Sequence, residues 1–566
     1  MRPKKFWAIL LLVCFSSAAA LEPPTKDQLE QYQRDGSLYK RTLNALALGN
    51  HLVAPELVLN LRYKLSVMDL LRKGRSRAEI AKLLGLPPGN SNVLKSKGTP
   101  KIFALLISFP DYPANESPYS IYTKIFGNGA GEWPRESVHN YYWRSSYNTL
   151  DIQGTVLGWY QPSYTRAGMP QTVAARENLI KEALAYFDNQ GHDFSQYDND
   201  GNGTIDYFIV IWTGPNNGWA NFWWGYQTSF SDSNFKLDGK RLYQTRYSWQ
   251  WEANPYPGTY SPYVVIHETG HALGLPDYYD YDASVGPGGG LGGLDMMDAN
   301  QGDHNCFSKM LLDWISPQVF NYGTRDFELN ASAITQDALI VMPEFASQAP
   351  FDEFFMVQNR FRLENDYYLP GDGLLIWHVD ARLSGSSFKY NNSYTEHKLL
   401  RLMEADGQES IEKGYSAHAG DYYVRGYTIG PQTFPNSNRY DGTESGVSVY
   451  GISPNWVTMD FAADIQYTLF APQNMSIQRT EGDYIFFREY INRLAWELNP
   501  KNRTAIVRYK LFKKTKGFPD SAYTLLAEVE QNSFVHRGLK KNELYTYRII
   551  AVDRNGVESI PGVFGN

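Results

Sequence analysis

Apolar and polar residues alternate with different periods along the chain, and the changes of period mark its elements. Ile102-Phe103-Ala104-Leu105-Leu106-Ile107 is an unbroken apolar run of strand length, which predicts a buried strand. Leu150, Ile152 and Val156 alternate with Asp151, Gln153 and Thr155, the pattern of a half-buried strand. Within 172–189, Ile180, Leu184 and Phe187 recur at i, i+4 and i+7 and form the apolar stripe of an amphipathic helix. A second apolar strand follows at 207–212. Tyr263-Val264-Val265-Ile266 then leads into a segment whose small residues fit a buried helix. Strand, helix and strand units ahead of that helix predict an α/β domain over 99–315. Before it, residues 21–98 are polar and helix-prone, with Pro23-Pro24 at the start and a linker at 91–100. After it, over 316–470, short apolar runs such as Phe354-Phe355-Met356-Val357 and Leu374-Leu375-Ile376-Trp377 are broken by Gly, Pro, Asn and Asp, as in a β-rich domain.

Composition narrows the class. A chain of 566 residues is too long for one core and divides into three or four domains. Its 43% apolar and 20% charged residues are those of a globular protein, and the 15% aromatic content suits β-rich, exposed binding surfaces. Residues 1–20 read as a secretory signal: Arg2, Lys4 and Lys5, an apolar stretch over 6–15, and Ala18-Ala19-Ala20 at the cleavage site. That stretch is too short for a membrane anchor, and no other is long and apolar enough to span a bilayer. Val13 argues against a lipidated Cys14. Loss of the leader's three cations takes the net charge from −7 to −10, which points away from nucleic acid and anionic membrane as partners. Cys306 is then the one remaining cysteine, so an exported chain makes no internal disulfide.

The densest chemistry lies in His267-Glu268-Thr269-Gly270-His271-Ala272-Leu273-Gly274-Leu275-Pro276-Asp277. Residues four apart share a helix face, so His267 and His271 can hold one zinc ion, while Glu268 stands to the side to hold a metal-bound water. Gly274 can take the positive φ that ends a helix and brings Asp277 back as third ligand. The fourth position is left open, as catalysis requires. Asp280, Asp282 and His304 lie close enough in sequence to compete with Asp277.

With Leu294-Asp295-Met296-Met297-Asp298 and Gly302-Asp303-His304-Asn305 downstream, this segment resembles the immune inhibitor A family of metzincin-like metallopeptidases. Tyr141-Tyr142-Trp143-Arg144 and Leu150-Asp151-Ile152-Gln153-Gly154 resemble the family's segment before and along a strand near the cleft, and the likeness in layout covers roughly 99–470. The resemblance implies a metzincin-like α/β catalytic domain, with Met297 on the tight turn that forms an apolar floor beneath the metal. Residues 21–98 match no inhibitory motif. They contain no cysteine, so a direct block of zinc would fall to a carboxylate, an imidazole or a carbonyl, with Asp69, Glu79 and His51 as candidates. Residues 471–566, with Trp496, Val507-Arg508-Tyr509 and the run 545–553, resemble a fibronectin type III β-sandwich, Trp496 as core tryptophan and Tyr545 as tyrosine corner.

Asp198, Asp200, Asn202 and Asp206, with Gly203 at position 6, reproduce most of an EF-hand-like calcium loop. Ile209 replaces the bidentate Glu at position 12, so the expectation is a structural Ca2+ loop feeding a strand, against an Asx-rich turn with no ion. The glycines of 286–293 lack the strand and helix of a phosphate loop and are expected at the cleft rim. His378, His397 and His418 are too scattered to form a metal site by spacing and are read as structural. Glu404 and Asp406 are read as a solvated turn before a calcium site.

The expected protein is thus multidomain: signal 1–20, helical pro-region 21–98, zinc peptidase 99–315, β-rich domain 316–470 and fibronectin type III-like sandwich 471–566. Its expected activity is that of a secreted zinc endopeptidase acting on protein or peptide substrates, Glu268 serving as general base and acid, with surface or matrix contact through the C-terminal β domains. The alternatives are a zinc- and calcium-stabilised adhesin, against which the intact Glu268 argues, and a metal hydrolase acting on something other than protein.

Overall fold

The run 102–107 becomes the interior of a sheet because no face of it tolerates water, and all six side chains are buried there. The computed structural model describes residues 24–72, 75–88, 93–129, 132–252, 260–281, 290–342, 352–393, 396–484, 487–502 and 504–565. The expected signal, Asp282 and residues 286–289 lie outside them. Among the described residues no helix is long and apolar enough to cross a membrane. The chain is multidomain and β-rich with some helices, and divides into two units: residues up to 51 with 90–282 and 293–303, and 52–89 with 283–292 and 304–566.

In the first unit we label the strands β1 (Lys101–Ile107), β2 (Gln153–Tyr160), β3 (Tyr207–Trp212), β4 (Tyr226–Ser229) and β5 (Arg246–Trp251). They form one sheet in the order β2-β1-β3-β5-β4. The first four in that order run parallel, and β4 closes one edge antiparallel to β5. The register sets Phe103 beside Phe208 and Phe208 beside Tyr247, whose rings stack at 5.0 and 5.1 Å. Leu150 and Ile152 are buried, but the strand they were expected to open starts only at Gln153. The amphipathic helix is Val173–Asp188; Thr172 caps it by accepting from the Ala175 amide, and Ile180, Leu184 and Phe187 face the core. The segment at 141–144 belongs to a helix, Val138–Ser145. Many aromatics expected at binding surfaces are instead core: Trp212, Trp223, Trp249 and Trp251 pack together, with the Arg166 guanidinium 4.2 Å over Trp223. Helices Lys26–Arg34 and Leu38–Leu48 complete this unit, as helix-prone composition predicts.

The second unit opens with helices Pro55–Arg72 and Arg77–Leu84, the latter held by a Ser76/Glu79 capping box. A five-stranded sheet built around Glu353–Arg360 and Gly373–Asp380 shares its core with a three-stranded sheet built around Thr458–Ile465, as the broken apolar runs predict. His378, buried, bonds Glu353 at 3.0 Å, and His397 bonds Asp380 at 2.6 Å. Beyond 471, a three-stranded and a four-stranded antiparallel sheet enclose a separate core containing Trp496 against Tyr509. Tyr545 does not hold the corner. It is half-buried, while Tyr547 is fully buried and its hydroxyl meets Asn492 Nδ2 at 2.7 Å and His536 Nδ1 at 2.8 Å. Alternation along the strand Tyr545–Asp553 keeps 545 and 547 on one face, so sequence pattern alone does not separate them. Cys306 is a buried free thiol.

Candidate metal centre

Tyr263–Ala272 is the helix that carries the motif, and every residue from Val264 onward is buried. It ends as its glycine requires. Gly274 stands at φ 103°, its amide bonds the His271 carbonyl at 2.9 Å, and the Leu275 amide reaches the Gly270 carbonyl at 3.0 Å. These two bonds are a Schellman motif, and they turn the chain so that Asp277 returns beneath the helix face it has just left.

His267 Nε2 lies 2.8 Å and His271 Nε2 3.3 Å from Asp277 Oδ1. All three side chains are buried, and their candidate ligand atoms lie within 4.8 Å of one another. Each imidazole is oriented from behind: His267 Nδ1 donates to the Met296 carbonyl and His271 Nδ1 to the Leu275 carbonyl, both at 2.9 Å. That leaves both Nε2 lone pairs directed at one point, the tautomer a metal needs. Burial opposes ionisation of Asp277, but His271 and His267 outweigh it and hold the carboxyl far below its usual range. The donor set, two oriented imidazoles and a carboxylate separated by about the edge of a tetrahedron, fits zinc.

Glu268 is fully buried on the same turn, and neither carboxylate oxygen has a close hydrogen-bond partner. Burial pushes its carboxyl up to about 7, against the pull of His271 and His267. Asp280 does not join the cluster, Asp282 lies outside the described residues, and His304 belongs to the second unit. Met297, on the short helix Met296–Ala299, packs against Gly270, and Asp295 fixes that turn by accepting from the Met297 amide at 2.7 Å.

Two neighbours, Tyr281 and Asn50, escaped the sequence, which placed Tyr142 near the cleft without giving it a partner. The Tyr281 hydroxyl donates to Asp277 Oδ2, and Tyr142 donates to the Ile266 carbonyl at 2.7 Å. Asn50, at the end of the N-terminal helices, accepts from the Asp277 amide at 2.7 Å and donates through Nδ2 to the Gln227 carbonyl of edge strand β4 at 3.2 Å. The ring of His51 lies 5.4 Å from that of Tyr281, and burial holds its pKa below the usual value. Tyr281 follows Asp277 by four residues, the one local signal available. Of the other candidate blocking groups, Glu79 is committed to its capping box and the side chain of Asp69 lies outside the described residues.

Asp198, Asp200 and Asp206 also cluster within 4.8 Å. The Lys240 ammonium sits 2.7 Å from Asp198 Oδ2, and Asn202 Oδ1 accepts from the Thr204 amide at 2.8 Å. Asp198 Oδ1 is buried without a hydrogen bond, and burial, with the charges of Asp200 and Asp198, raises Asp206 to about 6.

No family model matches the chain. The pre-pro-metalloprotease PrtV of Vibrio cholerae serotype O1 is 27% identical over 233 residues, covering 32% of this chain and 25% of that protein. This is distant similarity to a metalloprotease. The match spans about a quarter of the relative's length. Among solved structures, a fibronectin type III mutant, FN3tt, is 18% identical over 17% of this chain and 92% of its own, at a TM-score of 0.14. A fibronectin type III-like protein from Clostridium thermocellum is 21% identical over 16% and 84%, at 0.13.

Proposed function

We propose that the chain is an exported zinc-dependent endopeptidase of the immune inhibitor A type, with a metzincin-like catalytic domain in the first unit. The observation that carries this reading is the convergence of His267 Nε2 and His271 Nε2 on Asp277 Oδ1 beside the unpartnered Glu268. The similarity to a metalloprotease supports it. His267, His271 and Asp277 would hold the ion. Zinc bound with an open fourth position supplies a water acidified to a pKa of about 7 and polarises a carbonyl.

The chain's own residues do the rest. Glu268, buried beside the two histidines, would take the proton as the water oxygen attacks the peptide carbonyl and return it to the departing amine. Met297 supports the helix between the two histidines. Among the described residues the edge strand β4 pairs with one strand only, so a substrate backbone could add to its other side as a further strand. Asn50 already bonds one of its carbonyls, so in this reading residues 24–51 keep the full chain latent by occupying that edge and bracing Asp277.

Casein hydrolysis decides the reading. Activity should vanish with a chelator and return with zinc. Turnover that survives removal of all metal would overturn the proposal, and zinc binding with no hydrolysis by a chain starting at residue 99 would favour the adhesin.

A further inference from the structure

His418, too far in sequence from His378 and His397 to suggest a site with them, lies between two carboxylates in the second unit, Asp421 three residues on and Asp406 twelve residues back. Asp406 follows the strand Leu400–Leu402, and Asp421 ends a helical turn, Ala419–Asp421, just ahead of Tyr423. Tyr423 exchanges two backbone hydrogen bonds with Leu374, and the Ala405 amide bonds the Asp421 carbonyl at 3.2 Å, so both carboxylates are anchored to the sheet. His418 Nε2 lies 3.4 Å from Asp406 Oδ2, and His418 Nδ1 lies 3.2 Å from Asp421 Oδ2. A ligand atom from each of the three fits within 4.8 Å of the others.

Asp421 is fully buried. Its Oδ2 accepts from the His418 amide at 2.6 Å, while Oδ1 has no hydrogen-bond partner. An unmatched carboxylate oxygen in the interior is costly unless a cation meets it. Among the described residues neither Asp406 nor Asp421 pairs with a lysine or arginine, and a second buried carboxylate, Glu404, is pushed up to about 7 by burial, with Asp421 and Glu412 adding to it. The space between the groups is kept by Gly420: a Cβ there would stand 2.7 Å from Asp406 Oδ2 and 3.0 Å from the His418 ring. The His418 side chain is 44% exposed, which gives an ion a way in.

We propose that Asp406, His418 and Asp421 form a second divalent-cation site, one that takes zinc through an imidazole and two carboxylates and fastens the loop 403–421 to the β-rich domain. The imidazole argues for zinc over calcium, whose ligands are oxygens. The 3.4 Å between Nε2 and Oδ2 suits an ion about 2.0 to 2.2 Å from each. This inference does not depend on the peptidase reading.

The test uses cobalt as a spectroscopic stand-in for zinc. Full-length protein stripped with a chelator is titrated with Co2+ in excess calcium, and bound metal and visible absorption are compared among wild type, His418→Ala, Asp421→Asn and His271→Ala. His418→Ala and Asp421→Asn should each lose one equivalent of cobalt with its absorption, and zinc should displace the cobalt. His271→Ala reports separately on the catalytic centre: an unchanged metal content there counts against the peptidase reading alone. Cobalt uptake unchanged by His418→Ala, in protein whose circular dichroism and thermal midpoint match the wild type, would overturn the site. So would an equivalent that binds only when the calcium is left out, which would mean an oxygen-only site.

Discussion

Met297 lies directly beneath Gly270, so close that a Cβ added at 270 would stand 2.3 Å from its sulfur and 3.1 Å from its methyl carbon. Position 270, just before His271, is glycine because the space below it is filled. Gly270→Ala should overpack a buried contact and cost about 1–3 kcal/mol. Met297→Ala should cost about 2–5 kcal/mol by leaving a cavity, and the double variant should cost less than the sum. Thermal denaturation of the four proteins closes this cycle; additive losses would show that the contact does not couple the two residues.

Glu268 and the ligands should separate by what each loses. Glu268→Ala is expected to retain zinc and lose about 10²- to 10⁴-fold in casein turnover, the usual contribution of a proton-transfer group. His271→Ala and Asp277→Ala should lose metal on dialysis as well as activity, whereas Asp280→Ala should lose neither. A Glu268→Ala protein keeping a tenth of wild-type turnover would refute the proton-shuttle role.

The proposed latency is tested at Asn50. A chain starting at residue 99 should cleave casein at least tenfold faster than one starting at 21, and Asn50→Ala in the longer chain should raise its activity by removing the bond to the Gln227 carbonyl. Thiol reagents should have no effect on either, since 21–98 holds no cysteine. Equal activities of the two chains would reduce residues 21–98 to a folding aid.

Calcium, if bound by Asp198, Asp200 and Asp206, must displace the Lys240 ammonium from Asp198. Binding only to the folded state raises stability by mass action, and extracellular loops of this kind have affinities of about 0.1 to 1 mM. Several millimolar calcium should therefore raise the thermal midpoint of the wild type, and raise it further in Lys240→Ala. A midpoint indifferent to calcium in both would leave the loop an ordinary Asx turn.

His536 makes the C-terminal sandwich sensitive to acid. Burial, helped by Lys513, lowers its pKa from 6.5 to about 4. The folded state therefore binds the proton more weakly than the unfolded chain, so this contribution is complete above about pH 6.5 and is lost as the pH falls towards 4. Hydrogen exchange in Ser533–Leu539 and Tyr545–Asp553, corrected for intrinsic rates, should lose protection between pH 7 and 5. His536→Gln should flatten that change; an unaltered profile would place the sensitivity elsewhere.

The sequence by itself determined what is local. Four-residue spacing put His267 and His271 on one helix face, Gly274 dictated the turn that returns Asp277, and the apolar run at 102–107 could only be an interior strand. Backbone sterics and the periods of helix and strand act over a few residues, so they can be read in order along the chain. The tertiary structure alone decided which distant groups meet. Asn50 lies against Asp277, Lys240 on Asp198, Tyr547 rather than Tyr545 in the sandwich core, and His418 between Asp406 and Asp421. Apart from the three-residue step from His418 to Asp421, none of these pairings has a spacing or a period to betray it. Each depends on sheet order, on register and on the packing that brings separate segments into one interior.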